Sequence, residues 1–145
     1  DMKQLLQLSL QNRRLPLIVF SFSRQQCVQY ARMAAKELNL DAEKKAQVRS
    51  KIDHILKNLI SKHDRTLESI REVTEHLLPR GIGVHHGGLL PFLRELTESL
   101  FQAGLVRVLF ATETFGMGIN MPSRDVCFNW HPGKEFTKYD GKKRR

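Results

Sequence analysis

The chain has 145 residues, of which 24 are Lys or Arg and 15 are Asp or Glu, so its formal net charge is +9. Hydrophobic residues make up 41% of it, enough for the core of one domain, which excludes a disordered basic tail. No apolar run approaches the roughly 20 residues of a membrane-spanning helix, and we expect no membrane partner. Two cysteines are too few for a disulfide framework and favour an intracellular compartment, whether nucleus or cytoplasm.

The positive charge is concentrated at one end of the chain. The last twelve residues carry a net charge of +4, including a basic end at residues 142–145, and the rest of the chain carries +5. A basic surface favours a polyanionic partner such as nucleic acid. A solvated tail that keeps the protein soluble explains the same charge, so charge alone does not choose between them.

Four short segments, in chain order, have the composition of buried strands: residues 17–22, 81–86, 106–112 and 126–130. Each is apolar on both faces, which is typical of strands covered by helices on both sides. Because helical patterns alternate with these segments, the sequence predicts an α/β fold with a parallel, doubly wound sheet and flanking helices.

Local signals mark the ends of two of the helices. Ser23 precedes an apolar stripe over residues 27–38, and Gln26 stands three residues further on, the spacing of a capping box. Pro91 opens a second stripe at a plausible first helical position, and Gly104 closes it. Two helices are therefore predicted to begin just after the first and second strands.

The stretch from residue 40 to residue 78 is too long for a simple connection. It predicts a helical insertion in the first crossover, with two helices separated near residues 63–66 and Thr66 as a cap for the second. Residues 1–15 are expected to be an N-terminal lead-in and residues 16–141 the domain itself. The apolar stripes of the insertion are Val48, Ile52, Ile55, Leu56 and Leu59, then Leu67, Ile70, Val73 and Leu77.

Polar and small residues follow three of the predicted strands. Residues 21–23 end the first strand, residues 85–88 the second and residues 112–114 the third. Because parallel strands end at one edge of a sheet, and helices begin there with unpaired N–H groups, the pattern predicts an anion site at this edge. Each residue also has a local explanation, since Ser23 can serve as a helix cap and the Gly87–Gly88 pair as a turn.

The histidines and cysteines do not form a recognisable catalytic or metal site. His85 and His86 are adjacent on a strand and point to opposite faces, with His85 expected inside, and no companion has the spacing of a metal ligand. Cys27 and Cys127 occupy expected core positions. The chain also lacks a Gly-x-x-x-x-Gly-Lys-Ser/Thr loop, so we expect no catalytic residue and no metal site in it.

Three motifs give the sequence its resemblance to a known family. VFSFSR at residues 19–24 resembles helicase motif IV, GIGVHHGGLLP at residues 81–91 resembles the motif that follows it, and FATETFGMGINMP at residues 110–122 resembles motif V. Together they resemble the second RecA-like domain of the superkiller-type, exosome-associated DExH-box RNA helicases of superfamily 2. The similarity covers nearly the whole chain, from Pro16 to about Gly141.

The resemblance implies residue roles that spacing alone does not give. ATP and Mg²⁺ would be held mainly by a first RecA-like domain of the same protein, and single-stranded RNA would be contacted through its backbone. RNA exosome subunits and adaptor proteins are the further partners implied, with 3′–5′ unwinding in RNA processing or decay. The residues implied are Phe22, Ser23, His86, Gly87, Gly88 and Thr112 for RNA, and Gly116, Gly118 and Asn120 for ATP.

Two departures and two alternatives accompany this interpretation. The chain stops before the arginines of motif VI, so we expect a sheet incomplete at the C-terminus and a fragment that is inactive by itself. Gly116 stands where many relatives have Ala. A non-catalytic protein-interaction module would use an exposed apolar stripe on the insertion, and a DNA helicase of the same branch would share the phosphate-directed residues.

Overall fold

A computed structural model of the chain describes residues 2–11, 15–59, 68–112, 125–128 and 138–139. Five strands form one sheet, in the spatial order β2-β3-β1-β4-β5, and the first four are parallel. The strands are β1 (Leu17–Phe20), β2 (Ile82–His85), β3 (Val108–Ala111), β4 (Asp125–Phe128) and β5 (Lys138–Tyr139). The α-helices are α1 (Met2–Gln11), α2 (Arg24–Ala35), α3 (Ala42–Leu59), α4 (Glu68–Arg71) and α5 (Pro91–Gln102).

The predicted α/β class, with a parallel sheet and flanking helices, is confirmed, but β1, β2 and β3 are shorter than the sequence suggested. The apolar run of β1 extends to residue 22, whereas continuous pairing ends at Phe20. Beyond that point single hydrogen bonds replace the ladder, such as the one that the Ser21 N–H donates to the Ala111 carbonyl at 2.9 Å. Hydrophobic composition therefore overestimates the paired length at the strand ends.

The fifth strand, β5, was not predicted. It consists of Lys138 and Tyr139 and pairs antiparallel with β4 at the edge of the sheet. Two residues are too few to show a periodic hydrophobic pattern. Such a strand is defined by its pairing with a neighbour and cannot be predicted from the sequence.

Alternate residues of the central strands face two separate cores. Leu17 and Val19 of β1 pack with α1 and α2 on one side, while Ile18 packs with α3 and α5 on the other. Phe110 and Leu109 of β3 divide in the same way. This two-sided burial is the reason that the strands are apolar throughout instead of alternating.

Residues 1–15, expected to be a lead-in, contain helix α1. Leu5 and Leu6 are almost fully buried in the same core as α2, while Leu8 and Leu10 on this helix are half exposed. Met2, Leu5 and Leu6 have helical spacing, but the repeat is short, and no helix was predicted from it. Packing against α2 defines it.

The insertion contains helices, as predicted, but its second half is not a regular α-helix. After the single turn of α4, residues Glu72–Leu77 form a π-helix and Leu78–Arg80 a 3₁₀ turn. The wider turn lets Val73 and Leu78 face the α5 side of the sheet while Leu77 faces the α2 side. The predicted Thr66 cap and the end of the stripe at Leu67 lie outside the described residues.

The apolar stripe of the insertion is covered by the domain itself. Val48 and Ile52 of α3 are buried with Ile70 in the core beneath α5, and Ile55 and Leu56 are half-buried there. In the part of the insertion that the structure describes, these residues thus do not form the exposed stripe that a protein-interaction module would use.

A glycine stands just after the insertion, at a position where any other residue would be strained. Gly81 has φ of +82°, and a Cβ there would lie 2.8 Å from Cδ2 of Leu40. The left-handed conformation turns the chain directly into β2. At the far end of α5, Gly104 has φ of +76° and its N–H donates to the Phe101 carbonyl at 3.0 Å, which confirms it as the predicted terminator.

Candidate nucleic-acid interface

The carboxyl ends of β2, β3 and β1 meet in one row. In the register of the sheet, Ala111 of β3 lies opposite both Phe20 of β1 and His85 of β2. The next residue along each strand, Ser21, Thr112 and His86, therefore stands at the edge. The Thr112 N–H donates to the His85 carbonyl at 3.2 Å, which fixes the end of β3 beside the end of β2.

The start of α2 adds the residues that follow β1. The Ser23 hydroxyl accepts the Gln26 N–H at 3.0 Å, which confirms the predicted N-cap. Ser21 is buried, its Oγ lying 2.9 Å from Sγ of Cys27 within the core, as expected for that cysteine. Between them Phe22 is 65% exposed. The chain thus leaves the sheet with Phe22 and Ser23 presented to solvent at the edge.

The His86-Gly87-Gly88 segment forms a tight turn after β2. The Leu89 N–H donates to the His86 carbonyl at 3.2 Å, and the Gly88 N–H donates to Nδ1 of His86 at 3.0 Å. His86 is 8% exposed, and its pKa is lowered by burial, with further contributions from the positive charges of Arg24 and Arg94 and from His85. A lowered pKa agrees with an Nδ1 that accepts a hydrogen bond and carries no proton.

His85 points to the opposite face and has a structural partner, as the sequence indicated. Its Nε2 lies 2.6 Å from Oε1 of Glu98 on α5. Burial lowers the pKa of this imidazole, and the Glu98 carboxylate opposes that shift. The two histidines therefore separate at the strand end, His85 toward α5 and His86 toward the start of α2.

Arg24 is the residue of this edge to which the sequence gave no role. It is exposed at the first position of α2, and its guanidinium lies over the glycine turn. A Cβ on Gly87 would be 3.0 Å from Nη2 of Arg24, and a Cβ on Gly88 would be 3.2 Å from Nη1. Its position in the VFSFSR motif was the available signal. The contact with a turn more than sixty residues away was not visible.

The structure brings together all six residues predicted for RNA, and we call them the rim. Their contacts with RNA stay a prediction. The residues predicted for ATP, Gly116, Gly118 and Asn120, lie outside the described residues, as does the rest of the motif V segment after Thr112. The rim consists of Phe22, Ser23, His86, Gly87, Gly88 and Thr112.

The described residues contain neither a metal-binding cluster nor a membrane-spanning helix. Among them, no group of three or more His, Cys, Asp or Glu side chains is placed to hold a metal ion. No helix in this part of the chain combines the length and apolar character needed to cross a bilayer. Cys127 lies on β4, as predicted, and the surroundings of its side chain are outside the described structure.

Comparison with known proteins identifies the family. The model of the helicase conserved C-terminal domain matches residues 50–140. The chain is 47% identical over 131 residues to the exosome RNA helicase MTR4 of Mus musculus, covering 88% of this chain and 12% of the relative. It is 44% identical over 127 residues to the antiviral helicase SKI2 of Saccharomyces cerevisiae, covering 88% of this chain and 9% of the relative.

A third relative is a plant protein. The DExH-box ATP-dependent RNA helicase DExH10 of Arabidopsis thaliana is 39% identical over 145 residues, with 100% of this chain and 14% of the relative covered. The chain thus spans between 9% and 14% of the length of these three relatives. It belongs to the helicase conserved C-terminal domain family, within the branch of the superkiller and exosome-type DExH RNA helicases.

Proposed function

We propose that the rim binds the phosphate backbone of single-stranded RNA and that the chain acts as the second RecA-like domain of an ATP-dependent RNA helicase. One observation carries the proposal: Ser21, Thr112 and His86 form a single row at the carboxyl edge, and α2 and α5 begin beside it. Helix N-termini and hydroxyls at such an edge supply hydrogen-bond donors for anions.

The residues of the rim are better suited to contact the RNA backbone than to recognise particular bases. Thr112 and Ser23 offer hydroxyls and the glycine turn offers close approach, whereas residues that read base edges are not prominent among the six. Contacts of this kind hold a strand in position without selecting its sequence. A helicase that moves along RNA needs that property, because every nucleotide must be accepted in turn.

ATP binding and movement along RNA would require a second domain in addition to this chain. ATP would lie against Gly116, Gly118 and Asn120, and a first RecA-like domain would supply most of the ATP and Mg²⁺ contacts. Closing and opening of the two domains would drive 3′–5′ movement along RNA. The printed names of the MTR4 and SKI2 relatives support an RNA helicase, and the name of the former supports an association with the exosome.

Removing one hydroxyl from the rim tests the proposal. Thr112→Val keeps the shape of the side chain and deletes its hydrogen-bonding group, so we expect the affinity for a fluorescein-labelled oligouridine to fall about tenfold, the loss of one hydrogen bond to a charged group. Fluorescence anisotropy at low salt measures it. Thr97→Val is the matched control, because Thr97 is buried on α5 and its hydroxyl bonds the Leu93 carbonyl.

Two results would contradict the proposal. The first is a wild-type chain that does not bind the oligonucleotide at low salt. The second is binding that is equal in Thr112→Val and Thr97→Val, which would mean that the RNA lies elsewhere on the protein. Competition with the DNA oligonucleotide of the same sequence separates an RNA helicase from a DNA helicase of the same branch, since preference for DNA would favour the latter.

A further inference from the structure

Arg24 stands in an unfavourable electrostatic position. It is the first residue of α2, where the N-terminus of the helix carries partial positive charge. The first turn of α2 contains no acidic residue. Within the described residues the Arg24 guanidinium forms no hydrogen bond or ion pair, whereas Arg32 on the same helix is paired with Glu72. A cation at the positive end of a helix, with no anion beside it among the described residues, is placed to receive an anionic ligand.

The guanidinium lies against the glycine turn. Nη2 lies 3.0 Å from the Cβ position of Gly87, and Nη1 lies 3.2 Å from that of Gly88. A larger residue at either position would therefore have to push the guanidinium aside. Neither glycine has a positive φ, so backbone conformation does not explain the pair. A Cβ on Gly87 would meet the guanidinium, and a Cβ on Gly88 would meet the His86 ring at 3.1 Å as well as the guanidinium.

The neighbouring histidine does not compete for the anion. His86 uses its Nδ1 as an acceptor for the Gly88 N–H, so the imidazole is neutral in this arrangement. The acidic partner of this region, Glu98, is engaged with His85 on the other face of the sheet. Arg94 of α5 is also close enough to lower the pKa of His86, but Arg24 is the cation that lies against the glycine turn.

We propose that Arg24 is the charged phosphate-binding residue of the rim and that Gly87 and Gly88 are glycines in order to admit its guanidinium. This proposal rests on the function proposed above. In this arrangement the glycines leave space for the cation. Arg24 then supplies an ionic contact with phosphate, which the uncharged rim residues do not, and this contact makes RNA binding depend on salt.

The first experiment compares two substitutions that remove the same charge. Arg24→Gln should lower the affinity for fluorescein-labelled oligouridine about tenfold at low salt and reduce the slope of log K against log salt by about 0.7, one phosphate contact to a single strand. Arg107→Gln is the matched control. Arg107 immediately precedes β3, at the opposite edge of the sheet, so its loss should leave the slope unchanged.

Stability gives an independent readout. Because Arg24 faces the positive end of α2 without a partner in the described residues, Arg24→Gln should unfold at the same temperature as the wild type or higher. Loss of RNA affinity together with retained thermal stability supports a binding role. Loss of both would mean that Arg24 holds the fold, and would overturn the proposal.

A double-mutant cycle tests the role of the glycines. Gly87→Ala keeps every charge and displaces only the tip of a flexible side chain, so it should weaken RNA binding in the wild-type background. In the Arg24→Gln background the same substitution should have little effect, since the group that it displaces is gone. Equal effects in the two backgrounds would show that Gly87 acts without Arg24.

The outcomes separate this proposal from the one on which it rests. If the wild type binds RNA, Thr112→Val weakens it and Arg24→Gln behaves as Arg107→Gln does, Arg24 is not a phosphate ligand while the rim still is. If the wild type does not bind the oligonucleotide, both proposals fail together.

Discussion

The hydroxyl of Ser23 has a structural task and leaves its proton available for a second partner. Its oxygen accepts the Gln26 N–H at 3.0 Å, which stabilises the first turn of α2. A hydroxyl also carries one donor, and this residue is exposed at the edge of the sheet. Capping and phosphate binding are therefore compatible, and substitutions can separate them.

Ser23→Asp should separate the two tasks. An aspartate caps a helix as well as a serine does, so the free energy of unfolding should stay within about 0.5 kcal/mol of the wild type. The added negative charge should weaken RNA binding by repelling phosphate. Ser23→Ala removes the cap, so its free energy of unfolding, measured with urea, should be about 1 kcal/mol lower than that of the wild type. RNA affinity in Ser23→Asp equal to that of the wild type would exclude this residue from the interface.

His86 makes the stability of the domain sensitive to acid. Burial, and next the charge of Arg24, hold the pKa of its imidazole below the ordinary value of 6.5. The unfolded chain therefore binds a proton more readily than the folded one, and stability falls as the pH drops from about 6.5 toward the lower folded pKa. Protonation of Nδ1 would also remove the acceptor of the Gly88 N–H.

His86→Asn should reduce this acid sensitivity. The asparagine side-chain oxygen can accept the Gly88 N–H, and it does not titrate. We expect a smaller difference in the free energy of unfolding between pH 7.5 and pH 5.5 than in the wild type, measured with urea. His85 also has a lowered pKa and is present in both proteins, so its contribution cancels. An unchanged difference would mean that His86 has the same pKa in the folded and the unfolded chain.

At the scale of elements, α5 lies unusually close to β2. A Cβ on Gly83 would be 2.8 Å from Cγ2 of Thr97 and 2.9 Å from Cδ1 of Leu109. This close approach fixes α5 on the sheet and so determines where its N-terminus stands beside the rim. The same strand carries His85, whose contact with Glu98 ties it to α5 a second time.

Gly83→Ala should destabilise the domain by about 1–3 kcal/mol through overpacking of this contact. Thermal or urea unfolding measures the change. Gly87→Ala is the matched control, since the atoms nearest its new Cβ belong to the flexible end of Arg24, and its stability should stay within about 0.5 kcal/mol of the wild type. Equal stability of the two variants would mean that α5 moves away from β2 without cost.

The insertion behaves as part of the domain and not as an appendage. Arg32 of α2 and Glu72 of the π-helix form a two-pronged ion pair, and Nη1 of Arg80 donates to the Ala35 carbonyl at 2.7 Å. The pKa of the Glu72 carboxyl is lowered, chiefly by its hydrogen bond with Arg32. These contacts attach the insertion to α2, the helix that begins at the rim.

At the scale of the whole molecule, the proposed function gives the chain one half of an ATPase site. It contains no Gly-x-x-x-x-Gly-Lys-Ser/Thr loop. The residues proposed for ATP are two glycines and an asparagine, and none of them has an acid–base side chain. The purified chain is therefore expected to release no phosphate from ATP above the buffer background, with or without RNA. Hydrolysis that co-elutes with the chain and disappears in Thr112→Val would contradict this expectation.

Sequence and structure agree best where a signal is local. The Ser23 cap, the start of α5 at Pro91 and its end at Gly104 each depend on a few consecutive residues, and the structure confirms all three. The two-sided burial of β1 and β3 follows from uninterrupted apolar runs. The π-helical turn was not visible, because its widened register serves contacts with two cores at once.

By itself the sequence determined the α/β class, the strand segments, the helix ends and the family resemblance, because these reside in short patterns of residue type. The tertiary structure decided what depends on neighbours in space. The order β2-β3-β1 places Thr112 between the ends of the other two strands, the packing of Leu5 and Leu6 defines α1, and the start of α2 carries Arg24 onto the turn after β2. No local pattern encodes strand order, so only the assembled sheet shows that Arg24 lies beside the turn after β2.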